Sequence, residues 1–190
     1  MTTFLAPDEL ERIGFAAYGR EVRISRLASF HGAQRIVLGD HVRIDDFCLL
    51  SAGTGGIEIG RHVHVAAYTS LIGRGRMRLG DFANLSSRVS IYSSSDDYSG
   101  YAMTNPTVPE ALTAVKHADV EIGRHVIVGC GSVVLPGAVL EEGAAVAALS
   151  LVRGRCEAFG IYGGAPARRL KARSRRLLEL ERQLTDIDRP

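Results

Sequence analysis

With 190 residues, 23 of them Lys or Arg and 21 Asp or Glu, the chain has a formal net charge of +2, which gives no general attraction for nucleic acid or another polyanion. The length suits one domain, 1–190, rather than two. Tryptophan is absent although 46% of the residues are hydrophobic, which favours many small repeated layers over a core organised around bulky side chains.

Residues 1–20 read as an N-terminal cap, with Pro7-Asp8-Glu9-Leu10-Glu11-Arg12 as a short helix over the open end of a repetitive body. This start has no basic segment leading into a long apolar run, and no apolar stretch reaches membrane-spanning length. A cytoplasmic protein without membrane insertion is expected. Cys48, Cys130 and Cys156 lack metal-ligand spacing and are odd in number, so reduced thiols and no bound metal are expected.

Residues 22–160 carry a period of six. Val22, Ile24 and Phe30 form an irregular first turn, followed by Leu38, Ile44, Leu50, then Ile59, Val65, Leu71, then Leu79, Leu85, Ile91. Slips of two or three residues between these sets read as corner insertions. Glycine follows the leading residue at Gly39, Gly60, Gly80 and Gly123, as a turn with an unusual backbone angle would require. The phase then fails across 93–119, a polar, proline-containing stretch of a length that usually serves function. It resumes at Ile122, Val128, Val134, Leu140, Val146 and Val152, with a small or β-branched residue four places after each of the first five. Neither a helical period of 3.6 nor a strand period of 2 sustains this pattern. A triangular coil does: each hexad supplies one flat face and one corner, three complete a turn, and successive turns stack as parallel strands. The fold class is therefore an all-β solenoid with a protruding loop. Residues 165–186, with Leu170, Leu177 and Leu184 at sevenfold spacing, predict a C-terminal amphipathic α-helix.

These hexads, the loop after Ile91 and the ending Gly164-Ala165-Pro166-Ala167-Arg168 resemble the hexapeptide-repeat acyltransferases over nearly the whole chain. The layout is similar to galactoside and maltose acetyltransferases. Val42-Arg43-Ile44-Asp45-Asp46-Phe47-Cys48, residues 64–69, 81–88 and 95–100 look more like the enzymes that N-acetylate nucleotide-linked amino sugars such as dTDP-4-amino-4,6-dideoxyglucose. The resemblance implies a left-handed parallel β-helix, a homotrimer, and acetyl-CoA as co-substrate in a groove between neighbouring prisms. It also places Arg168 and Lys171 at the adenosine phosphates, where Arg suits phosphate well. Arg153 joins this basic ending, whereas Arg173 to Arg176 read as a solvated helix face. The small residues around Cys130 and Ala148, eighteen positions apart, suit neutral pantetheine.

Acyl transfer needs a base, an oxyanion donor and a held thioester. His41, His62 and His125 share one repeat slot and read as structural corner residues. His64 precedes inward-facing Val65 and points out of a flat face, which makes it the candidate base. Galactoside-type enzymes carry a catalytic His where this chain has Ser95-Asp96-Asp97. Asp96 and Asp97 could bind a protonated amine, orient His64 or act as base, and adjacent carboxylates can raise one another's pKa. They could also form only a turn. The missing loop His favours an amine acceptor over a hydroxyl; O-acetylation of a sugar or glycan is the alternative. Asn84, Ser86 and Tyr98 are candidate acceptor-binding residues.

Overall fold

The six-residue period is realised as three short parallel strands per turn, stacked into three sheets of seven, eight and six strands, the eighth strand of the second sheet being added antiparallel at its end. The structure, a computed structural model, describes residues 3–187. On the first face Leu38, Ile59, Leu79, Ile122 and Leu140 lie in direct register. On the second, Ile24, Ile44, Val65, Leu85, Val128 and Val146 do the same. The third stacks Leu50, Leu71, Ile91, Val134 and Val152. Each of these side chains is at most 3% exposed. Burying one contributes about 1.5–3 kcal/mol, so the repeated small layer replaces a single large core.

The corners correct one expectation. Gly39, Gly60, Gly80 and Gly123 do not occupy the left-handed region; the positive φ falls two residues later, at His41, His62, Phe82 and His125. Glycine is required for a different reason. A Cβ at Gly80 would stand 2.7 Å from the amide nitrogen of Arg124 in the next turn, and one at Gly39 would stand 2.6 Å from the carbonyl carbon of Gly60. The left-handed residues offset their backbone cost of about 1–2 kcal/mol each by stacking. His41 on His62, His62 on Phe82 and Phe82 on His125 have centroids 4.6, 4.9 and 4.9 Å apart. The three repeat-slot histidines are thus rungs of one corner ladder.

Within 93–119, Ser94–Ser95 pairs antiparallel with Lys116–His117, so that residues 96–115 project from the neck of a hairpin. At the N-terminal end, α1 (Pro7–Ile13) buries Leu10, and Phe4 bridges antiparallel to Ser25 in the first turn.

The C-terminal expectation needs a second correction. Instead of running helical from 165, the chain turns at Gly163-Gly164 and returns as the strand Arg168–Ala172, antiparallel to Gly160–Gly163. The unpaired edge of the last turn offers a ready ladder of backbone groups, and pairing it outweighs helical preference. Helix α2 begins only at Leu177 and runs to Ile187. Arg173 is not solvated as expected: it is half-buried and donates from Nη1 to the carbonyls of His125 (2.8 Å) and Gly143 (3.0 Å). Burial lowers its pKa.

Helix α2 seats Glu181, 8% exposed, against the histidine corner, where it accepts from Arg124 and lies 2.7 Å from His125 Nε2. Burial alone would raise this carboxyl, but the bonds from Arg124 and His125 outweigh it and hold the pKa below its ordinary range. A depressed carboxyl contributes its stability in full above its ordinary, unfolded-state pKa and loses it as pH falls through the folded-state pKa. Acidification below the ordinary carboxylate range should therefore release α2 before the prism unfolds, measured as loss of amide protection at 177–184 while Val65, Leu85 and Val128 stay protected. Simultaneous loss at both would show that the clasp has no separate titration.

Candidate active site

Because strand side chains alternate, the residue before each buried member of the second face points outward. The outward column reads Arg23, Arg43, His64, Asn84, Ile127, Ala145 and Ile161, in direct register from turn to turn. Lys171 of the return strand pairs with Ile161 at its far end.

His64 is the best-braced member of the column. Its Nε2 lies 2.8 Å from Asp45 Oδ2, and its Nδ1 lies 3.2 Å from Asn84 Oδ1. Asp45 also accepts from Arg43 Nε at 2.7 Å. Burial pushes the Asp45 carboxyl up, yet the bonds from His64 and Arg43 outweigh that and keep it below its ordinary range. An ionised carboxylate can only accept, so Nε2 carries a proton and the lone pair of the neutral ring sits on Nδ1. The Asn84 amide can present its NH2 to that lone pair or its oxygen to an imidazolium, and so serves both protonation states. A ring held at one nitrogen with its basic nitrogen turned to a polar neighbour can take a proton from an acceptor on the outer face. Sequence reasoning picked His64 and Asn84 but assigned no role to Asp45. The signal was present, since Asp45 lies at the corner one turn below the histidine.

The corner beside this column supplies a smooth edge. Cys130 and Ala148 are exposed, and Gly129 approaches the next turn so closely that a Cβ there would meet the Ala148 nitrogen at 2.5 Å. Ser86 is half-buried, and its backbone N–H donates to Val128 O at 2.9 Å. Arg153 and Arg168 line one concavity of about 290 Å³ at the C-terminal end, and Lys171 is exposed nearby on the return strand.

The loop residues are arranged differently. The Asp97 carboxylate accepts from the Ser99 hydroxyl and from the backbone N–H groups of Ser99, Gly100, Tyr101 and Ala102. Those bonds, the Ser99 hydroxyl first, hold its pKa down, whereas adjacent acids were expected to raise one another. Asp97 organises its own turn. Asp96 is exposed and Tyr98 is 94% exposed, so neither is held against the His64 column within one chain. A concavity of about 560 Å³ lies on the first face over Glu58, Arg78 and Glu121 and is lined by no histidine. Among the described residues no group of three or more His, Cys, Asp or Glu is placed to hold a metal.

No family model matches the chain. Over 178 residues it is 52% identical to the dTDP-4-amino-4,6-dideoxy-D-glucose acyltransferase of Escherichia coli, which covers 94% of this chain and 93% of that one. Its fold is similar to that of AntD, an N-acyltransferase from Bacillus cereus solved with dTDP-4-amino-4,6-dideoxyglucose and coenzyme A. The TM-score is 0.93 at 42% identity, over 98% of this chain and 99% of that one. A second AntD structure, holding dTDP and 3-hydroxybutyryl-CoA, gives a TM-score of 0.92 at 42% identity, over 98% of each chain. The AntD crystals include variants of one serine and of an aspartate ten positions further on. A hexapeptide-repeat acetyltransferase from Vibrio cholerae shares the fold at 20% identity, with a TM-score of 0.57 over 87% of this chain and 75% of that one. With half its residues identical across nearly the full length of both chains, the protein belongs to the dTDP-4-amino-4,6-dideoxyglucose acyltransferase family.

Proposed function

We propose that this protein transfers an acetyl group from acetyl-CoA to the amine of a nucleotide-linked amino deoxy sugar, with dTDP-4-amino-4,6-dideoxyglucose as the leading acceptor. The observation that carries this reading is the Asp45–His64–Asn84 array on the outer face. The neutral amine attacks the thioester carbonyl, His64 takes the proton released as the C–N bond forms, and Asp45 balances the resulting imidazolium. A backbone N–H at Cys130 faces the developing oxyanion, and as the C–S bond breaks the sulfur of coenzyme A takes the proton back from His64 and leaves as the thiol. Arg153, Arg168 and Lys171 meet the phosphates of coenzyme A, while the edge at Cys130 and Ala148 receives pantetheine.

Asp96 is the loop carboxylate available to attract the ammonium form of the acceptor, with Ser86 hydrogen-bonding the sugar and Tyr98 covering it. Asp97 holds the loop in shape. The serine-to-aspartate spacing altered in AntD recurs here at Ser86 and Asp96, and also at Ser87 and Asp97. The concavities beside His64 and at the basic ending are open, and Phe47, Tyr68 and Leu149 are 50, 52 and 78% exposed along the adjoining corner. Both features support a homotrimer in which a neighbouring prism supplies the second wall. The setting is cytoplasmic synthesis of a surface polysaccharide.

The deciding test measures thiol release from acetyl-CoA and 3-hydroxybutyryl-CoA with dTDP-4-amino and dTDP-3-amino sugars, galactosides and maltose. Turnover of acetyl-CoA with the 4-amino sugar is expected. Turnover confined to hydroxy sugars would replace this reading with O-acetylation.

A further inference from the structure

We infer that Arg23 and Arg43 form the anchor for the diphosphate of the nucleotide sugar, so that the acceptor lies along the second face on the N-terminal side of His64. The inference rests on the acceptor proposed above and assigns residues to it. On one side of His64 in the outward column stand two cations, Arg43 and then Arg23; on the other, beyond Asn84, stand the neutral Ile127, Ala145 and Ile161. The two substrates differ in the same way near the reacting atoms. A dianionic diphosphate lies close to the acceptor amine, whereas neutral pantetheine adjoins the thioester.

The spacing agrees. In a 4-amino hexose 1-diphosphate the amine and the phosphates leave opposite ends of the ring. The first phosphate therefore lies about one to two strand spacings, ~5–10 Å, from the acylated nitrogen. Arg43 is one strand from His64 and Arg23 is two.

Charge pairing points the same way. Like charges directly opposite on adjacent strands are destabilising, and the first face avoids them by stacking Glu58, Arg78 and Glu121 in alternation. The second face instead sets Arg23 against Arg43. Arg43 uses its Nε–H on Asp45 and has its guanidinium 5.5 Å from the centre of the Phe4 ring. Arg23 is exposed and forms no ion pair among the described residues. Concavities of about 260 and 470 Å³ open on either side of Arg43, the second of them also lined by Arg23. Two arginines directly opposite on adjacent strands, beside openings that Glu21, Asp45 and Asp46 also line, suit a diphosphate, which accepts guanidinium N–H groups.

The test compares binding of dTDP and of thymidine to the full chain by calorimetry, for wild type, Arg23→Gln, Arg43→Lys and the control Arg20→Gln. Arg20 bonds Asp40 at a corner outside the column. The expected result is a loss of dTDP affinity of about tenfold or more in Arg23→Gln and a measurable loss in Arg43→Lys. Thymidine affinity and the KM for acetyl-CoA should not change, and the control should match wild type. Arg43→Lys also removes the Nε–H bond to Asp45, so Arg23→Gln, at a residue that bonds neither Asp45 nor His64, is the variant whose loss of dTDP affinity separates anchoring from support of the base. Wild-type dTDP affinity in both variants would overturn the anchor alone. Failure of the wild type to bind dTDP would overturn the nucleotide-sugar reading and the anchor with it.

Discussion

Replacing His64 with alanine should lower kcat about 10²–10⁴-fold, the range a general base contributes, with the KM of both substrates nearly unchanged. The expectation follows from the bracing of the ring: Asp45 fixes one nitrogen, Asn84 faces the other, and the side chain still opens to the outer face. Asp45→Asn should reproduce part of the loss, because it removes the charge that balances the imidazolium while keeping nearly the same shape. Single-turnover measurements with the dTDP-4-amino sugar and acetyl-CoA separate chemistry from product release. A loss in His64→Ala below about tenfold would remove His64 as the base and return that role to the loop carboxylates, with Asp96 the first to test.

The largest stability effect is expected at Leu85. This side chain is fully buried, stacked between Val65 and Val128, and follows Asn84 on the same strand. Leu85→Ala should cost about 2–5 kcal/mol, from lost transfer energy and from a cavity that the close approach of neighbouring turns leaves little freedom to collapse. For a chain of this size the midpoint of thermal unfolding should drop by roughly 5–15 °C. Leu149→Ala, at a corner residue 78% exposed, is the matched comparison and should stay within about 0.5 kcal/mol in the single chain. Equal costs at the two positions would mean that the inward stack is not what holds the turns together.

Periodicity made the prism legible because it depends on contacts that repeat: an aliphatic residue inside every face and a small one near every corner. It located the hairpin neck to within a residue or two, since the phase breaks there. It misjudged features set by contacts between turns. Nothing in the local pattern of Gly80 distinguishes a left-handed turn from a backbone that another turn nearly touches. Arg168–Ala172 has helical character when read alone and becomes a strand because an unpaired edge lies beside it. The site followed the same division. His64 and Asn84 were readable from phase, as outward residues of adjacent turns. The role of Asp45 depends on a side chain reaching from a corner to the turn above, a distance the repeat does not encode. That of Asp97 was set by five short-range hydrogen bonds within its loop.

The reversal of the chain at Gly163-Gly164 has a consequence for how such a protein can change length. A stack of parallel turns can in principle go on adding copies of itself, but a strand running the other way accepts no further turn. The prism ends where the polypeptide doubles back, and any added turn must arise upstream of that point. Each insertion between Asn84 and Arg168 would move the basic ending about 4.8 Å further from His64, so on the proposed placement of coenzyme A the number of turns between them acts as a ruler for the carrier arm of the acyl donor. Point substitutions can then alter the base or the acceptor contacts freely, while a whole-turn insertion or deletion between Asn84 and Arg168 would separate the thioester from its catalyst by one graduation.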